Sequence, residues 1–196
     1  MDVVRRLLAS LAIVVALTGC DALNTTGDEA NATPRSLAAL VIQYLPDTPS
    51  AAYDGQLPGK TSAKVEFGPD ASPDSVLVSV EEIEPGEADT LRKICVGCDI
   101  TELSDGSTMH VTRGDRLPGV GLGETKYVRV SIFREREIVE LTYEGRAIRV
   151  NGKEFDRPLL YLERIIEIAQ DPSMGLTTVQ GFLDQGDKIT VWRNEP

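Results

Sequence analysis

Residues 127–155 read YVRVSIFREREIVELTYEGRAIRVNGKEF, and this stretch decides the fold of the chain. Apolar and polar side chains alternate along it, which predicts strands because successive residues of a strand face opposite sides of a sheet. The pair Asn151-Gly152 is typical of a two-residue hairpin turn. The stretch therefore predicts an antiparallel β-meander. Its predicted strands are Tyr127–Arg134, Ile138–Tyr143, Ala147–Val150 and Lys153–Phe155.

Weaker patterns lie on either side of this stretch. Residues 46–61 are rich in Pro, Gly and Ser, and this composition predicts a loop. Short runs of alternating or β-branched side chains elsewhere predict further strands, because such residues fit a pleated, half-buried surface. These strands are predicted at Lys64–Phe67, Val76–Ile83, Met109–Thr112 and Lys188–Arg193.

Helices are predicted before and after the strands. Thr33-Pro34 joins a capping residue to a proline suited to the first turn, and apolar side chains recur at helical spacing from Leu37 to Leu45. A second apolar stripe predicts a helix over Pro158–Gln170, and Thr177–Leu183 predicts a further helical turn. We therefore expect the α+β class, with an antiparallel β-meander sheet packed against N-terminal and C-terminal helices.

The N-terminus has the layout of an export signal. Arg5 and Arg6 precede the apolar run Leu7–Leu17, which is too short to span a bilayer comfortably. The run ends in Leu17-Thr18-Gly19-Cys20, and this motif resembles the lipobox of bacterial lipoprotein precursors. The resemblance implies cleavage before Cys20 and attachment of a diacylglycerol to its sulfur.

The same resemblance implies a domain plan and a location. Residues 1–19 are the predicted lipoprotein signal peptide, residues 20–34 the lipidated Cys20 with a flexible polar tether, and residues 35–196 a single extracytoplasmic domain. Acyl chains on Cys20 would hold the chain to the extracytoplasmic face of the cell membrane. The stretches Cys95–Gly106 and Leu160–Pro172 also resemble uncharacterised secreted lipoproteins of actinobacteria, which implies a location and no mechanism.

The charge of the chain excludes one class of partner. Its 196 residues include 31 acidic and 20 basic side chains, for a net charge of −11. This argues against nucleic acid, because phosphate binding needs clustered positive side chains. Residues 21–90 hold 13 acidic and 3 basic side chains, whereas residues 91–196 hold 17 and 15. The acidic N-terminal half is either a solvated surface or a docking face for a basic protein partner.

Cys95-Val96-Gly97-Cys98 is the motif with the richest chemistry. With Cys20 taken by lipid, the other two cysteines form an even pair, and export favours a structural disulfide between them. Two alternatives stay open. The pair could exchange disulfides with other thiols, although the acidic residues that follow would raise thiol pKa values. It could also bind zinc with His110 and with Asp99 or Asp105, although one CxxC and one histidine make a weak pattern.

The other motifs lead us to predict no catalytic residue, no metal site and no cofactor. Gly119–Gly123 precedes a strand pattern and lacks the Lys-Ser/Thr order of a phosphate-binding loop. The acidic run from Glu81 to Asp89 lacks the spacing of a calcium loop. The sequence contains neither G-x-S-x-G nor H-E-x-x-H, and its single histidine leaves a Ser-His-Asp triad without a supporting motif.

The sequence thus favours a non-enzymatic, lipid-anchored extracytoplasmic protein that acts through protein contacts or envelope maintenance. One alternative is a lipoprotein that binds a small ligand or a cation, in a pocket between the sheet and the late helix. The other alternative is a thiol-disulfide protein that uses Cys95 and Cys98.

Overall fold

The structure is a computed structural model that describes residues 29–68, 74–115, 125–150 and 153–194. The predicted signal peptide, Cys20 and the tether up to residue 28 lie outside the described residues. The strands are β1 (Glu29–Asn31), β2 (Pro49–Asp54), β3 (Thr61–Phe67), β4 (Asp74–Glu82), β5 (Cys98–Glu102), β6 (Thr108–Asp115), β7 (Thr125–Phe133), β8 (Glu137–Val150), β9 (Lys153–Asp156) and β10 (Thr177–Val179). The helices are α1 (Pro34–Tyr44), α2 (Glu87–Leu91), α3 (Arg157–Leu160), α4 (Leu162–Gln170) and α5 (Gln180–Asp187).

The main sheet is antiparallel, with the strand order β2-β3-β4-β8-β7-β6-β5, and β9 pairs with the last residues of β8. Strands β6 to β9 follow one another in sequence and in space, which confirms the predicted meander and the α+β class. Strands β8 and β9 pair with Val150 opposite Lys153, while the predicted turn residues Asn151 and Gly152 lie outside the described residues. The two strands predicted on either side of Gly145 are one continuous strand, because Gly145 and Arg146 go on pairing with β7.

One face of the main sheet forms the hydrophobic core. The register places Val78, Leu141, Val130 and Val111 in one row across β4, β8, β7 and β6. The first three of these side chains are fully buried. Helix α1 packs against β2, β3 and β4, while α4 packs against β7 and β8. Burying a Val or Leu side chain stabilises a fold by about 1.5–3 kcal/mol, so these rows determine which face of each strand lies inside.

Helix α1 begins where the sequence predicts. The Thr33 hydroxyl accepts a 3.1 Å hydrogen bond from the backbone N–H of Ser36, and the Ser36 hydroxyl oxygen accepts a 2.9 Å bond from the N–H of Thr33. This reciprocal cap satisfies two backbone donors that no helical carbonyl reaches. Pro34 occupies the first helical position, where its missing N–H costs nothing.

The C-terminal helical region differs from the prediction. The single helix expected over Pro158–Gln170 is two helices, because Tyr161 has a φ of −101° and a ψ of 0° and separates α3 from α4. The Tyr161 ring stacks on the buried ring of Tyr143 with centroids 5.1 Å apart. Its hydroxyl donates a 2.6 Å hydrogen bond to Asp47. These long-range contacts hold Tyr161 against the sheet, and a helical stripe in the sequence does not reveal them.

A small second sheet corrects the prediction for two segments. Strand β1 pairs with β10, and Ala32 N donates a 2.8 Å hydrogen bond to Leu176 O. The ordered domain therefore starts before residue 35, and the predicted flexible tether does not extend to residue 34. The helical turn predicted over Thr177–Leu183 is wrong at its start, because residues 177–179 pair with β1 and α5 begins at Gln180.

Two predictions around β2 are wrong. The loop predicted over residues 46–61 contains β2, whose Ala51 and Ala52 are fully buried. Packing against α1 compensates for the low intrinsic strand preference of alanine. The strand predicted at Lys188–Arg193 does not form. Instead, Ala52 N donates to Val191 O, Arg193 N donates to Ala52 O, and this segment covers the middle of the β2 edge.

The opposite end of the sheet is open. Strand β5 pairs with β6, and no other segment in the described ranges pairs with its outer edge. The sequence pattern missed this strand because four of its five residues are exposed, so apolar and polar side chains do not alternate along it. None of the helices in the described part of the chain has the length and apolar character needed to cross a membrane.

Candidate functional site

Cys95 and Cys98 lie on a short loop between α2 and β5. Helix α2 ends at Leu91, and the backbone N–H of the C-cap residue Arg92 donates a 2.9 Å hydrogen bond to Ala88 O. Between the cysteines, Gly97 has a φ of +74°, a left-handed conformation that residues with a Cβ rarely adopt. The turn places the two cysteine Cα atoms 6.0 Å apart, and the side chains form the predicted disulfide.

The surface around this disulfide is apolar. Val96 is 97% exposed, Ile94 is 68% exposed and Ile100 is 52% exposed. We name residues 94–102, which comprise the loop and β5, the disulfide surface. Large apolar side chains at such exposure lose contact with other apolar groups and order water around them, so their clustering in one short segment favours a binding role.

His110 lies directly beneath the disulfide surface. It pairs with Ile100 in the β5–β6 register, so it shares a face of the sheet with Ile100 and with Cys98 two residues earlier. Only 5% of His110 is exposed, and its ring centroid lies 4.5 Å from that of Phe133. The structure buries this ring between β6, β7 and the loop after α2.

One hydrogen bond shows which ring nitrogen of His110 carries a proton. Its Nε2 lies 2.9 Å from the carbonyl oxygen of Arg92. A carbonyl oxygen can only accept, so Nε2 carries the proton and Nδ1 keeps a lone pair in the neutral ring. The loop that carries the cysteines thereby also orients the imidazole.

Cys95, Cys98 and His110 come together in space. One nitrogen or sulfur atom from each of the three lies within 4.8 Å of the other two. The chain has one histidine and three cysteines, so its only imidazole lies beside two of its three cysteine sulfur atoms. The proximity follows from the pairing of β5 with β6, which brings positions 98 and 110 together across a hairpin.

The two carboxylates considered with this group have other partners. Asp99 forms an ion pair with Arg113 and, as the neighbour of Cys98 in a strand, faces the other side of the sheet. Asp105 accepts hydrogen bonds from the N–H and hydroxyl of Ser107 at 2.9 and 2.6 Å. These bonds lower the pKa of Asp105 by stabilising its charged form.

A second group of titratable side chains lies where β4 and α3 begin. Nη1 of Arg157 lies 2.8 Å from Oδ2 of Asp74, and the N–H of Arg146 donates a 3.3 Å hydrogen bond to Oδ1. Burial raises the pKa of Asp74, although the charge of Arg157 opposes this shift. Oδ1 of Asp47 lies 3.7 Å from Nη2 of Arg157, and Oδ2 of Asp47 accepts the hydrogen bond from the Tyr161 hydroxyl. The group ties α3 to β4 and β8.

A groove of about 680 Å³ lies between α1 and the segment after α5. Ile42, Pro49, Ile189 and Val191 supply apolar lining, and Lys188 is its one charged lining residue among the described parts of the chain. Its volume falls in the usual range for small-molecule pockets, about 300–1,000 Å³. The groove does not lie between the sheet and the late helix, where the ligand-binding alternative placed it.

The acidic run of the N-terminal half is partly neutralised. Glu81 forms a 2.8 Å ion pair with Lys60, and Glu82 lies 3.4 Å from Arg136. Both pairs are substantially exposed and contribute little to stability.

Comparison of the chain with protein-family models, with curated proteins and with solved structures gives no match in any of the three. Its function is therefore inferred from its own residues and surfaces.

Proposed function

We propose that this chain is a lipid-anchored extracytoplasmic protein that acts without catalysis, by docking a partner protein on the disulfide surface. The observation that carries this proposal is the exposure of Ile94, Val96 and Ile100 beside the open edge of β5. The lipobox at Leu17–Cys20 supports the anchor, since two acyl chains give stable attachment to a membrane.

The exposed apolar side chains of the described residues cluster on the disulfide surface. The described residues include six large apolar side chains that are exposed, and three of them lie within residues 94–100. Burying one such side chain against a partner contributes about 1.5–3 kcal/mol to the binding free energy. The entropy lost on association offsets part of this gain. The disulfide restrains the loop in advance, which lowers the entropy lost on binding.

The edge of β5 adds backbone groups to the same surface. In an antiparallel strand every second residue turns its N–H and C=O away from the paired neighbour. An extended segment of a partner can bind these groups by strand addition, with side-chain contacts giving specificity. The exposed Glu102 on β5 favours a partner segment that carries a basic side chain, so the basic partner is proposed here at β5 and not at the acidic N-terminal half.

Photo-crosslinking in intact cells tests the docking site. A photoreactive amino acid replaces Val96 in one variant and Leu160 in a matched control, since Leu160 is also apolar and 57% exposed but lies on α3. We expect a discrete crosslinked product from position 96 that Ile100→Asp abolishes. Equal products from both positions, or none from position 96, would contradict the proposal.

Fatty-acid labelling tests the anchor. We expect incorporation of labelled fatty acid into the chain and its loss in Cys20→Ser, with the protein released from the membrane fraction. Labelling that persists in Cys20→Ser contradicts an anchor at this residue.

A second candidate function is the binding of a small apolar ligand, and the groove beside α1 favours it. Native mass spectrometry of protein extracted from membranes would show added mass that disappears on denaturation. Replacing Ile42 by Trp fills the groove, so this variant should lose the added mass. A ligand that stays bound to Ile42→Trp occupies some other place and contradicts a site in the groove.

A further inference from the structure

We propose that, after reduction of the disulfide, Cys95, Cys98 and His110 form a binding site for a thiophilic divalent cation of the zinc class. The proposal goes beyond docking and rests on a different observation, the convergence of three ligand-bearing side chains within 4.8 Å. The sequence pattern alone led us to predict no metal site, because it cannot show that position 110 returns to positions 95 and 98.

Reduction must let the two bonded sulfur atoms separate, and the distances from sulfur to the His110 nitrogen then need only a small contraction. In a tetrahedral zinc site, bonds of about 2.3 Å to sulfur and about 2.0–2.1 Å to nitrogen place the ligand atoms about 3.4–3.8 Å apart. The three atoms here lie within 4.8 Å. Cys95 lies on a loop, whereas Cys98 and His110 are held by the β5–β6 pairing, so movement of the Cys95 side chain can close the difference.

The surroundings of His110 suit a metal ligand. Its Nε2–H donates a hydrogen bond to the Arg92 carbonyl oxygen. In metal-bound histidines the ring nitrogen that does not bind the metal usually donates in the same way to a carbonyl or a carboxylate. This bond leaves the lone pair of Nδ1 for the cation and fixes the plane of the ring. Only 5% of His110 is exposed, so the ring is held in one place beside the two cysteines.

The spacing of the cysteines fits the same geometry. Two residues separate Cys95 from Cys98, as in the C-x2-C half of many zinc sites, and the left-handed Gly97 lets the chain turn between them. No fourth His, Cys, Asp or Glu within the described residues joins this group. The site therefore has three protein ligands and a fourth position for water or for a group from a partner.

The disulfide and the cation exclude each other. A dithiol reductant opens the Cys95–Cys98 bond, and its own two thiols become a disulfide while the protein gains two thiols. Each protein thiol then releases its proton when it binds the cation as a thiolate. A small-molecule disulfide that takes up the two electrons and becomes two thiols re-forms the Cys95–Cys98 bond and releases the cation, so cation binding depends on redox state.

Cobalt(II) is the probe, because its absorbance reports thiolate ligands and tetrahedral geometry. The experiment uses the full chain in detergent with Cys20→Ser, so that Cys95 and Cys98 carry the only thiols. We expect the reduced protein to bind one cobalt ion per chain, with thiolate charge-transfer and tetrahedral ligand-field bands that zinc removes. The oxidised protein should show none of these bands.

Variants identify the ligands. Cys95→Ser and Cys98→Ser should each abolish the charge-transfer spectrum or reduce it by half, and His110→Gln should weaken binding by about tenfold or more and shift the ligand-field bands. Asp99→Asn is the matched control and should leave the spectrum unchanged. Bands absent from the reduced protein, or unaltered in His110→Gln, overturn the proposal.

A measurement on the unsubstituted site covers the case in which His110→Gln fails to fold. X-ray absorption of the zinc-loaded reduced chain with only Cys20→Ser should show two sulfur ligands and one imidazole nitrogen. A first coordination sphere with four sulfur atoms indicates a site shared by two chains and overturns the three-ligand assignment.

Discussion

The guanidinium of Arg134 and the carboxylate of Glu137 lie 2.6 Å apart and together tie the β7–β8 turn to the end of α4. Arg134 donates a 2.7 Å hydrogen bond to Met174 O and longer bonds to Ala169 O and Asp171 O. Glu137 accepts a 2.7 Å bond from Leu176 N. The pair thus satisfies the last carbonyls of the helix and fixes where the chain turns toward β10.

Arg134→Met should destabilise the protein by about 3 kcal/mol. The Arg134 and Glu137 side chains are only 20% and 15% exposed, so the substitution leaves a nearly buried carboxylate without its partner. Arg136→Met in the same turn is the matched control. Its pair with Glu82 is mostly exposed, so we expect a change of less than about 0.5 kcal/mol. Urea unfolding gives the free energy of unfolding of both variants. Equal decreases in Arg134→Met and Arg136→Met would contradict a structural role for Arg134.

Reducing the Cys95–Cys98 disulfide should lower the free energy of unfolding by about 2 kcal/mol. The bond closes a very short loop, and the entropy that it removes from the unfolded chain grows with loop length. Comparing urea midpoints of the oxidised and reduced protein checks this. A decrease of more than about 4 kcal/mol in the free energy of unfolding would show that the disulfide also stabilises parts of the fold outside the loop it closes.

Equilibration with glutathione separates a structural disulfide from the thiol-disulfide alternative. A structural bond should resist reduction, with a potential below about −300 mV, whereas an exchanging pair equilibrates near about −200 mV. We expect the resistant behaviour, because acidic residues follow the pair in β5. Rapid exchange near the glutathione potential would favour the thiol-disulfide protein.

Tyr44→Phe should destabilise the protein by about 1 kcal/mol at neutral pH, because the Tyr44 hydroxyl donates a hydrogen bond to Asp171. Burial, with a further contribution from this bond, raises the pKa of Tyr44 from 10.0 to about 12. The stabilisation is therefore complete below pH 10 and is lost as the pH rises through 12. Unfolding measured from pH 8 to pH 12 should show the two proteins converging, and a constant difference would contradict the assignment.

Asp74→Asn should change the pH dependence of stability. Burial raises the pKa of Asp74 above 3.8, so its protonated form is favoured in the folded state. The wild type should lose stability relative to Asp74→Asn as the pH rises from 3.8 through the folded-state pKa. Asp187→Asn, which alters an exposed carboxylate on α5, is the control. A difference between wild type and Asp74→Asn that stays constant from pH 3.5 to pH 7 would contradict the effect.

The sheet was predictable where its strands are half buried. Val128, Val130 and Ile132 alternate with polar residues because one face meets the core, and the pattern located β7 from sequence alone. The exposed β5 lacks that alternation, so no pattern indicated it. Strand β2 was missed although it is buried, because its alanines have a weak intrinsic strand preference, which burial of Ala51 and Ala52 and the packing of β2 against α1 outweigh.

The candidate site was predictable only in its parts. The spacing of Cys95 and Cys98 and the need of exported cysteines to pair indicated the disulfide. The meeting with His110 depends on the register that sets Ile100 opposite His110, and this register follows from a strand that the sequence did not reveal. The exposure of Val96 likewise depends on the path of the loop after α2.

The backbone bonds between Ala52 and residues 191–193 have a consequence for self-association. Of the two strands that end the main sheet, β2 pairs at its middle with residues 191–193, whereas the outer edge of β5 pairs with no segment in the part of the chain that the structure describes. When two copies pair through their β5 strands, neither β5 edge remains available. The β2 edge of each copy is already covered at its middle, which disfavours the addition of a further strand there. Growth through this sheet is therefore limited to a pair of molecules and does not continue into a fibre.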